Sequence, residues 1–106
     1  MSRSDKQRLQ EIKETASKLQ IIAEKGERNF HEDFQAQWAI ERGLQTIGEC
    51  ATHLSAEYKD THPEVLWSEI IGMRTQLAHA YHAIDPEIVW NAASVSVPEL
   101  IRALSL

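Results

Sequence analysis

Apolar residues recur at intervals of three and four positions along almost the whole chain, and this periodicity limits the fold more than any other feature of the sequence. The spacing matches the 3.6-residue turn of an α-helix that buries one face. No stretch shows the sustained alternation of a strand. The first two stripes consist of Leu9, Ile12, Ala16, Leu19 and Ile22, and of Ile40, Leu44, Ile47, Ala51, Leu54 and Tyr58. We therefore expect an all-α fold.

Residues that start and stop helices divide this pattern into four main segments. Ser4 and Gln7 form a candidate capping box before the first segment, and Gly26 marks its end. The later segments are expected to start near Asn29, Pro63 and Asp85. Together they predict an up-and-down bundle of four main helices in which residues 1–106 form a single domain.

The fourth segment carries a second set of start signals inside it. Ser96 and Glu99 have the spacing of a capping box, and Val95 and Leu100 that of a hydrophobic staple. We therefore expect the fourth helix to be kinked or broken near residues 94–96.

Gly48 lies inside the second segment, where glycine costs about 1 kcal/mol relative to alanine. Two explanations are open at this stage. Another helix crosses closely at this point, or the bundle tolerates the glycine.

Charge and cysteine content exclude some classes of protein. The formal net charge of −5 argues against attachment to nucleic acid or anionic lipid through a broadly basic surface. The single cysteine, Cys50, cannot form an intramolecular disulfide and is expected to be a buried apolar residue. The first residues lack the apolar core of a signal peptide, and no run reaches transmembrane length. We expect a cytoplasmic protein that does not enter the membrane.

Arg74 is the residue whose position is hardest to explain from the sequence, because a charged side chain is predicted on an apolar helix face. At about 100° per residue it falls near the middle of the apolar arc of the third segment. Breaking a buried ion pair costs about 3–5 kcal/mol, so this charge needs a partner. One interpretation is a structural ion pair with a carboxylate such as Glu49 or Glu69. The other is a cleft in which the planar guanidinium binds an anion such as phosphate.

His79 follows Arg74 by five residues and points about 140° away from it on a regular helix. Three arrangements would bring the two side chains together: an unwound helix end, a long bridging substrate, or a second copy of the chain. Two-fold pairing is the commonest oligomeric arrangement, and it would place both copies of each residue in one cleft. Tyr81, seven residues from Arg74, lies on the same face.

Two pairs of residues have the spacing of metal ligands. His79 with His82, and Glu49 with His53, each share one face of a helix. The first pair has no obvious third ligand nearby, and the second lacks the further carboxylate–histidine motif that a di-metal bundle needs. We expect no metal site and no cofactor.

Four segments of the chain resemble those of HepT-like toxins in the HEPN superfamily. Arg74-x4-His79-x-Tyr81 is similar to the R-x4-H-x-Y signature of that family. Residues 44–51 resemble its "IGEA" segment, residues 67–74 its tryptophan-to-arginine segment, and residues 85–90 the start of its fourth helix.

The resemblance implies a homodimeric, metal-independent endoribonuclease toxin of a type VII-like toxin–antitoxin pair, with its site in a composite cleft between protomers. It implies that His79 is an acid–base residue at the ribose 2′-hydroxyl and that Arg74 stabilises the scissile phosphate. It further implies an MntA-like nucleotidyltransferase antitoxin that transfers AMP to Tyr81. Glu49 and Thr75 would support the site.

Thr75 departs from the family pattern, because many members have Asn or Asp directly after the motif arginine. That departure keeps a second function open, a non-catalytic HEPN module that binds a nucleotide or a nucleotidyltransferase through the same cleft. A third interpretation is a purely structural dimer in which Arg74 closes an ion pair.

Overall fold

The structure, a computed structural model, describes residues 4–79 and 84–106. Within these ranges the chain is helical and contains no strand. The helices are α1 (Asp5–Ala23), α2 (Glu27–Glu32), α3 (Phe34–His53), α4 (Ala56–Asp60), α5 (Trp67–His79), α6 (Pro86–Asn91), a π-helical turn (Ala92–Ser96) and α7 (Val97–Ala103). The prediction of an all-α bundle of four main helices is confirmed: α1, α3, α5, and the α6–α7 unit.

The start of α1 confirms the predicted capping box. The Ser4 hydroxyl accepts a hydrogen bond from the Gln7 amide at 3.2 Å, and the Ser4 amide donates to the Gln7 side chain at 2.9 Å. These two bonds satisfy donors that a helix start otherwise leaves unpaired. Gly26, predicted to end this segment, has a φ of 95° and comes directly before α2.

The second predicted segment begins close to Asn29, with α2 at Glu27, but it consists of three helices, and the predicted start of the third segment near Pro63 is wrong. The second segment is divided at Asp33, whose carboxylate accepts a hydrogen bond from the Gln35 amide at 2.9 Å and caps α3. Ser55 in the same way caps α4, one turn that comes before the third segment. The third main helix therefore begins at Trp67 and not at Pro63.

The predicted interruption of the fourth helix is present, but not as a capped second start. Residues Ala92–Ser96 form a π-helical turn between α6 and α7. Ser96 has helical dihedral angles and makes no capping hydrogen bond, so the proposed capping box is wrong. The Ser94 hydroxyl instead donates to the Trp90 carbonyl at 2.8 Å. The backbone thus passes from α6 to α7 without leaving the helical conformation.

The core lies between α1, α3, α5 and the α6–α7 unit. Its buried side chains come from every main helix and include Ile12, Leu19, Ile40, Leu44, Leu77, Val89 and Leu100. Burying such aliphatic side chains contributes about 1.5–3 kcal/mol each, before conformational entropy is subtracted. In the described ranges no helix combines the length and hydrophobicity that crossing a membrane requires.

The three tryptophans have different environments. Trp67 and Trp90 pack against the core, and the Trp90 ring lies 5.5 Å from that of Phe30. Trp38 is 66% exposed and makes an edge contact with the exposed ring of Phe34 at 5.0 Å. The start of α3 therefore presents an aromatic pair on the surface of the bundle.

Candidate functional site

Arg74 lies on α5 where this helix crosses α3 beside Gly48. A β-carbon added to Gly48 would overlap the β-carbon of Arg74 and would come within 3.2 Å of the Ile70 carbonyl oxygen. Glycine therefore permits the two helices to approach this closely. Of the two explanations for Gly48, the structure selects the close crossing.

This crossing sets Arg74 beside the residue that follows Gly48. Arg74 Nη2 lies 2.7 Å from Glu49 Oε2, a short charge-assisted contact. The alternative partner, Glu69, is an exposed residue in the first turn of α5. The guanidinium is thus compensated by one carboxylate, as the ion-pair interpretation requires.

The Arg74–Glu49 pair nevertheless remains open to solvent. The Arg74 side chain is 35% exposed and that of Glu49 47%. Exposed pairs of this kind contribute about 0.2–1 kcal/mol, far less than a buried pair. The guanidinium therefore retains access to an anion that approaches from outside the bundle, and the pair does not exclude the anion-binding interpretation.

His53, one turn further along α3, contacts the same carboxylate, that of Glu49. Its Nε2 lies 3.0 Å from Glu49 Oε1, and its side chain is 51% exposed. The pKa of Glu49 is held below its ordinary value, chiefly by the hydrogen bond from His53 and then by the positive charge of Arg74, although partial burial opposes this. Glu49 is accordingly a carboxylate at neutral pH, shared by an imidazole and a guanidinium.

The i, i+4 spacing of Glu49 and His53 was visible in the sequence, where it suggested a metal pair. The contact with Arg74 depends on how α3 and α5 cross, so local spacing could not reveal it. The structure thus brings together Arg74, Glu49 and His53, which we call the Arg74 cluster.

His79 is the last residue of α5 and is exposed. Because α5 is continuous from Trp67 to His79, the five-residue separation directs His79 about 140° away from Arg74. Unwinding before His79 is therefore not what joins the two side chains. A bridging substrate and a second copy of the chain remain as the means of joining them.

Thr75, another predicted position, adds little to the Arg74 cluster. Thr75 is exposed, and its hydroxyl donates to the Ile71 carbonyl of its own helix at 3.2 Å. Tyr81 lies outside the described residues, as does His82, so the predicted modification site and the His79–His82 pair have no structural description.

One group of side chains among the described residues has the composition of a metal site. The ligand atoms of Glu27, His31 and Glu87 lie within 4.8 Å of one another, and all three residues are exposed. His31 Nε2 lies 3.3 Å from Glu27 Oε2 and 3.1 Å from Glu87 Oε1. Because the imidazole already contacts both carboxylates, the group is accounted for as a surface polar contact that joins α2 to α6.

A groove of about 310 Å³ lies between α3, α5 and the π-helical turn. Its walls are mainly aliphatic and include Leu44, Leu66, Ile70, Met73 and Leu100. No residue of the Arg74 cluster lines the groove. Without a positive side chain from that cluster, the groove is not suited to a phosphate.

Comparison with known proteins places these residues within a described family. The model of the family "Ribonuclease HepT-like" matches residues 9–106. A "Probable ribonuclease HepT" of Thermococcus cleftensis is 34% identical over 104 residues, which cover 94% of this chain and 92% of that protein. A candidate RNase of Caldanaerobacter subterraneus is 39% identical over 62 residues, 58% of this chain and 55% of that protein. No solved structure gives a significant match.

Proposed function

The chain belongs to the ribonuclease HepT-like family, and from that premise we propose that it is a metal-independent endoribonuclease and the toxin of a type VII-like toxin–antitoxin pair. The observation that carries the proposal is the position of Arg74, whose side chain is 35% exposed. It lies in the matched region, on the helix that ends at His79.

Arg74 is suited to the phosphate of an RNA backbone. Its planar fork of donors matches phosphate geometry, and a fixed positive charge favours the charge that develops on the phosphoryl oxygens during cleavage. The 2.7 Å contact with Glu49 holds the guanidinium in place before substrate arrives. Arg74 would then bind and stabilise the scissile phosphate.

His79 is suited to proton transfer. Imidazole changes its protonation state near neutral pH, and exposure leaves the ring accessible to a substrate. In the proposed reaction His79 takes the proton from the ribose 2′-hydroxyl, whose oxygen attacks the neighbouring phosphorus. The bond from that phosphorus to the 5′-oxygen breaks, and the leaving 5′-oxygen takes a proton from water, which yields a 2′,3′-cyclic phosphate and a 5′-hydroxyl. No metal ion is needed for this step.

A homodimer is the arrangement that best explains how Arg74 and His79 could act at one site. Within one protomer α5 directs them apart, whereas a two-fold partner can supply the second side chain to a shared cleft. The exposed Phe34 and Trp38 rings provide apolar area of the kind that protein interfaces bury. We propose a dimer with composite sites, built from one HEPN-like domain in each chain.

Neutralisation by an MntA-like nucleotidyltransferase is the regulatory part of the proposal. AMP attached to Tyr81 would add negative charge and bulk where the RNA backbone is expected to lie. Both the toxin and the antitoxin are proposed to act in the cytoplasm.

Two observations favour a second candidate function, a non-catalytic module that binds a nucleotide or a nucleotidyltransferase. Glu49 compensates Arg74, and Thr75 directs its hydroxyl into its own helix, so neither assists an attacking group. The acidic net charge of −5 also argues for selective cleavage or binding and against avid binding of bulk RNA.

Cleavage of RNA by the purified chain separates the two functions. The wild type, His79→Ala and Arg74→Ala are incubated with total RNA in the presence of EDTA, with His62→Ala as a control histidine variant. The ribonuclease cleaves in EDTA and loses about 10²-fold or more of its activity on either site substitution. RNA left intact by the wild type, or cut equally by His79→Ala, would favour the binding module.

A further inference from the structure

The Arg74 cluster contains an imidazole that the family motif does not include. His53 reaches Arg74 through a single carboxylate, with distances of 3.0 Å from His53 Nε2 to Glu49 Oε1 and 2.7 Å from Glu49 Oε2 to Arg74 Nη2. All three side chains are between one third and about one half exposed. The cluster is thus a continuous polar surface at one crossing of α3 and α5.

The protonation state of His53 decides the net charge of this surface. With a neutral imidazole, the positive guanidinium and the negative carboxylate cancel. With a protonated imidazole, two positive groups share one carboxylate and the cluster carries a single positive charge. Imidazole is the side chain whose charge changes between pH 5 and 8.

Charged groups around this end of α3 leave that effect in place. Arg74 is contributed by α5 and Lys59 by α4, while α1 contributes Asp5, Arg8 and Glu11. The Asp5 carboxylate is hydrogen-bonded to Ser55, and Glu11 accepts from the buried Cys50 thiol at 3.5 Å. Both α1 carboxylates have partners of their own, whereas His53 is bound to Glu49.

We propose that His53 is a positioning residue of the substrate site, which orients Arg74 through Glu49 and, when protonated, supplies the net positive charge that attracts an RNA phosphate. This inference rests on the proposed function, because it takes Arg74 to be the phosphate ligand. The inference predicts that the affinity for RNA increases as pH falls through the range in which an imidazole gains its proton.

A binding experiment tests this role apart from catalysis. The Kd of a fluorescent single-stranded RNA is measured by anisotropy between pH 5.5 and 8.5 in a His79→Ala background, which prevents cleavage and removes the other site histidine. His53→Gln retains an amide donor for Glu49 but cannot be charged. His53→Arg keeps a positive charge at every pH. His31→Gln is the matched control, because His31 forms the same i, i+4 pair with Glu27 on a different helix.

The proposal predicts that the His79→Ala protein binds RNA about two- to fivefold more tightly at pH 5.5 than His53→Gln does, the range expected of one exposed charge pair. His53→Gln also loses most of the pH dependence, His53→Arg binds tightly throughout, and His31→Gln behaves like its parent. Thermal unfolding of each variant shows that the fold is retained.

Equal Kd values for His53→Gln and its parent across the pH range would overturn the inference, as would an equal loss in His31→Gln. If the His79→Ala parent does not bind RNA, both the inference about His53 and the proposed ribonuclease function are overturned. The wild-type chain is assayed for cleavage of the same RNA. Binding that depends on His53 without cleavage would reject the ribonuclease and leave the role of His53 standing.

Discussion

Gly48 lies directly against Arg74. The backbone of α3 at Gly48 contacts the β-carbon of Arg74 on α5, and no space remains for another carbon atom between them. The close crossing also determines where Glu49 meets the guanidinium. Spacing the helices further apart should therefore affect both stability and the site.

Gly48→Ala should destabilise the protein by about 1–3 kcal/mol, the range for overpacking, despite the better helix propensity of alanine. Gly72→Ala is the matched control, because Gly72 lies in α5 with nothing within 4 Å of its added β-carbon. That substitution should stabilise by up to about 1 kcal/mol. Urea unfolding followed by circular dichroism measures both. Equal stabilisation by the two changes would show that the crossing is not close at Gly48.

A composite site can be tested by mixing two inactive chains. If Arg74 of one protomer acts with His79 of the other, co-expressed Arg74→Ala and His79→Ala chains form mixed dimers that keep one intact site. About one quarter of wild-type activity should return, since half of the dimers are mixed and each retains one of two sites. Each variant alone is the control. Mixed dimers without activity would mean that both residues act from the same chain.

Tyr81 gives a test of neutralisation that does not depend on RNA. Co-expression with an MntA-like nucleotidyltransferase should add the mass of AMP to the chain, and Tyr81→Phe should remove the modification because it lacks the accepting hydroxyl. Intact-mass and peptide mass spectrometry locate the adduct, and Tyr58→Phe serves as the control. An adduct that persists in Tyr81→Phe would assign the modification to another side chain.

Asp5 should make stability depend on acid pH. The Ser55 hydroxyl and amide donate to its carboxylate at 2.6 and 3.0 Å, and these bonds are the main cause of its lowered pKa. A lowered folded pKa means that the ionised form stabilises the native state above the ordinary value, about 3.9, and that this contribution is lost as pH falls through the folded value.

Asp5→Asn should therefore be less stable than the wild type at neutral pH and should converge with it in strong acid. Urea unfolding at a series of pH values measures the difference. Asp60→Asn is the control, at an exposed position on α4. A constant difference between Asp5→Asn and the wild type down to strong acid would exclude the titration of Asp5 as its cause.

The sequence predicted the main helices well, because long amphipathic stripes determine which faces are buried. It failed where one-turn helices intervene. Asp33 and Ser55 are good cap residues, but α2 and α4 are too short to show a periodic stripe. Ser96 and Glu99 illustrate the opposite error, since a cap-like spacing also fits the interior of a continuous helix.

The site was predicted less completely than the fold for a different reason. Spacing along α5 suffices to show that Arg74 and His79 diverge. The pairing of Arg74 with Glu49 depends on a contact between two helices, which the sequence left open between two acids. His53 was recognised as a neighbour of Glu49, but its connection to Arg74 needs the same tertiary contact.

Cys50, next to Glu49 in the chain, is 2% exposed, and its thiol faces Glu11 of α1. A thiol reagent can therefore reach it only when the packing around it opens, for example by separation of α1 from α3. Because the chain contains no other cysteine, the rate of native-state labelling reports on that local opening without an introduced probe. Labelling of Cys50 can also show whether dimer formation or bound RNA suppresses local opening of the bundle beside the Arg74 cluster.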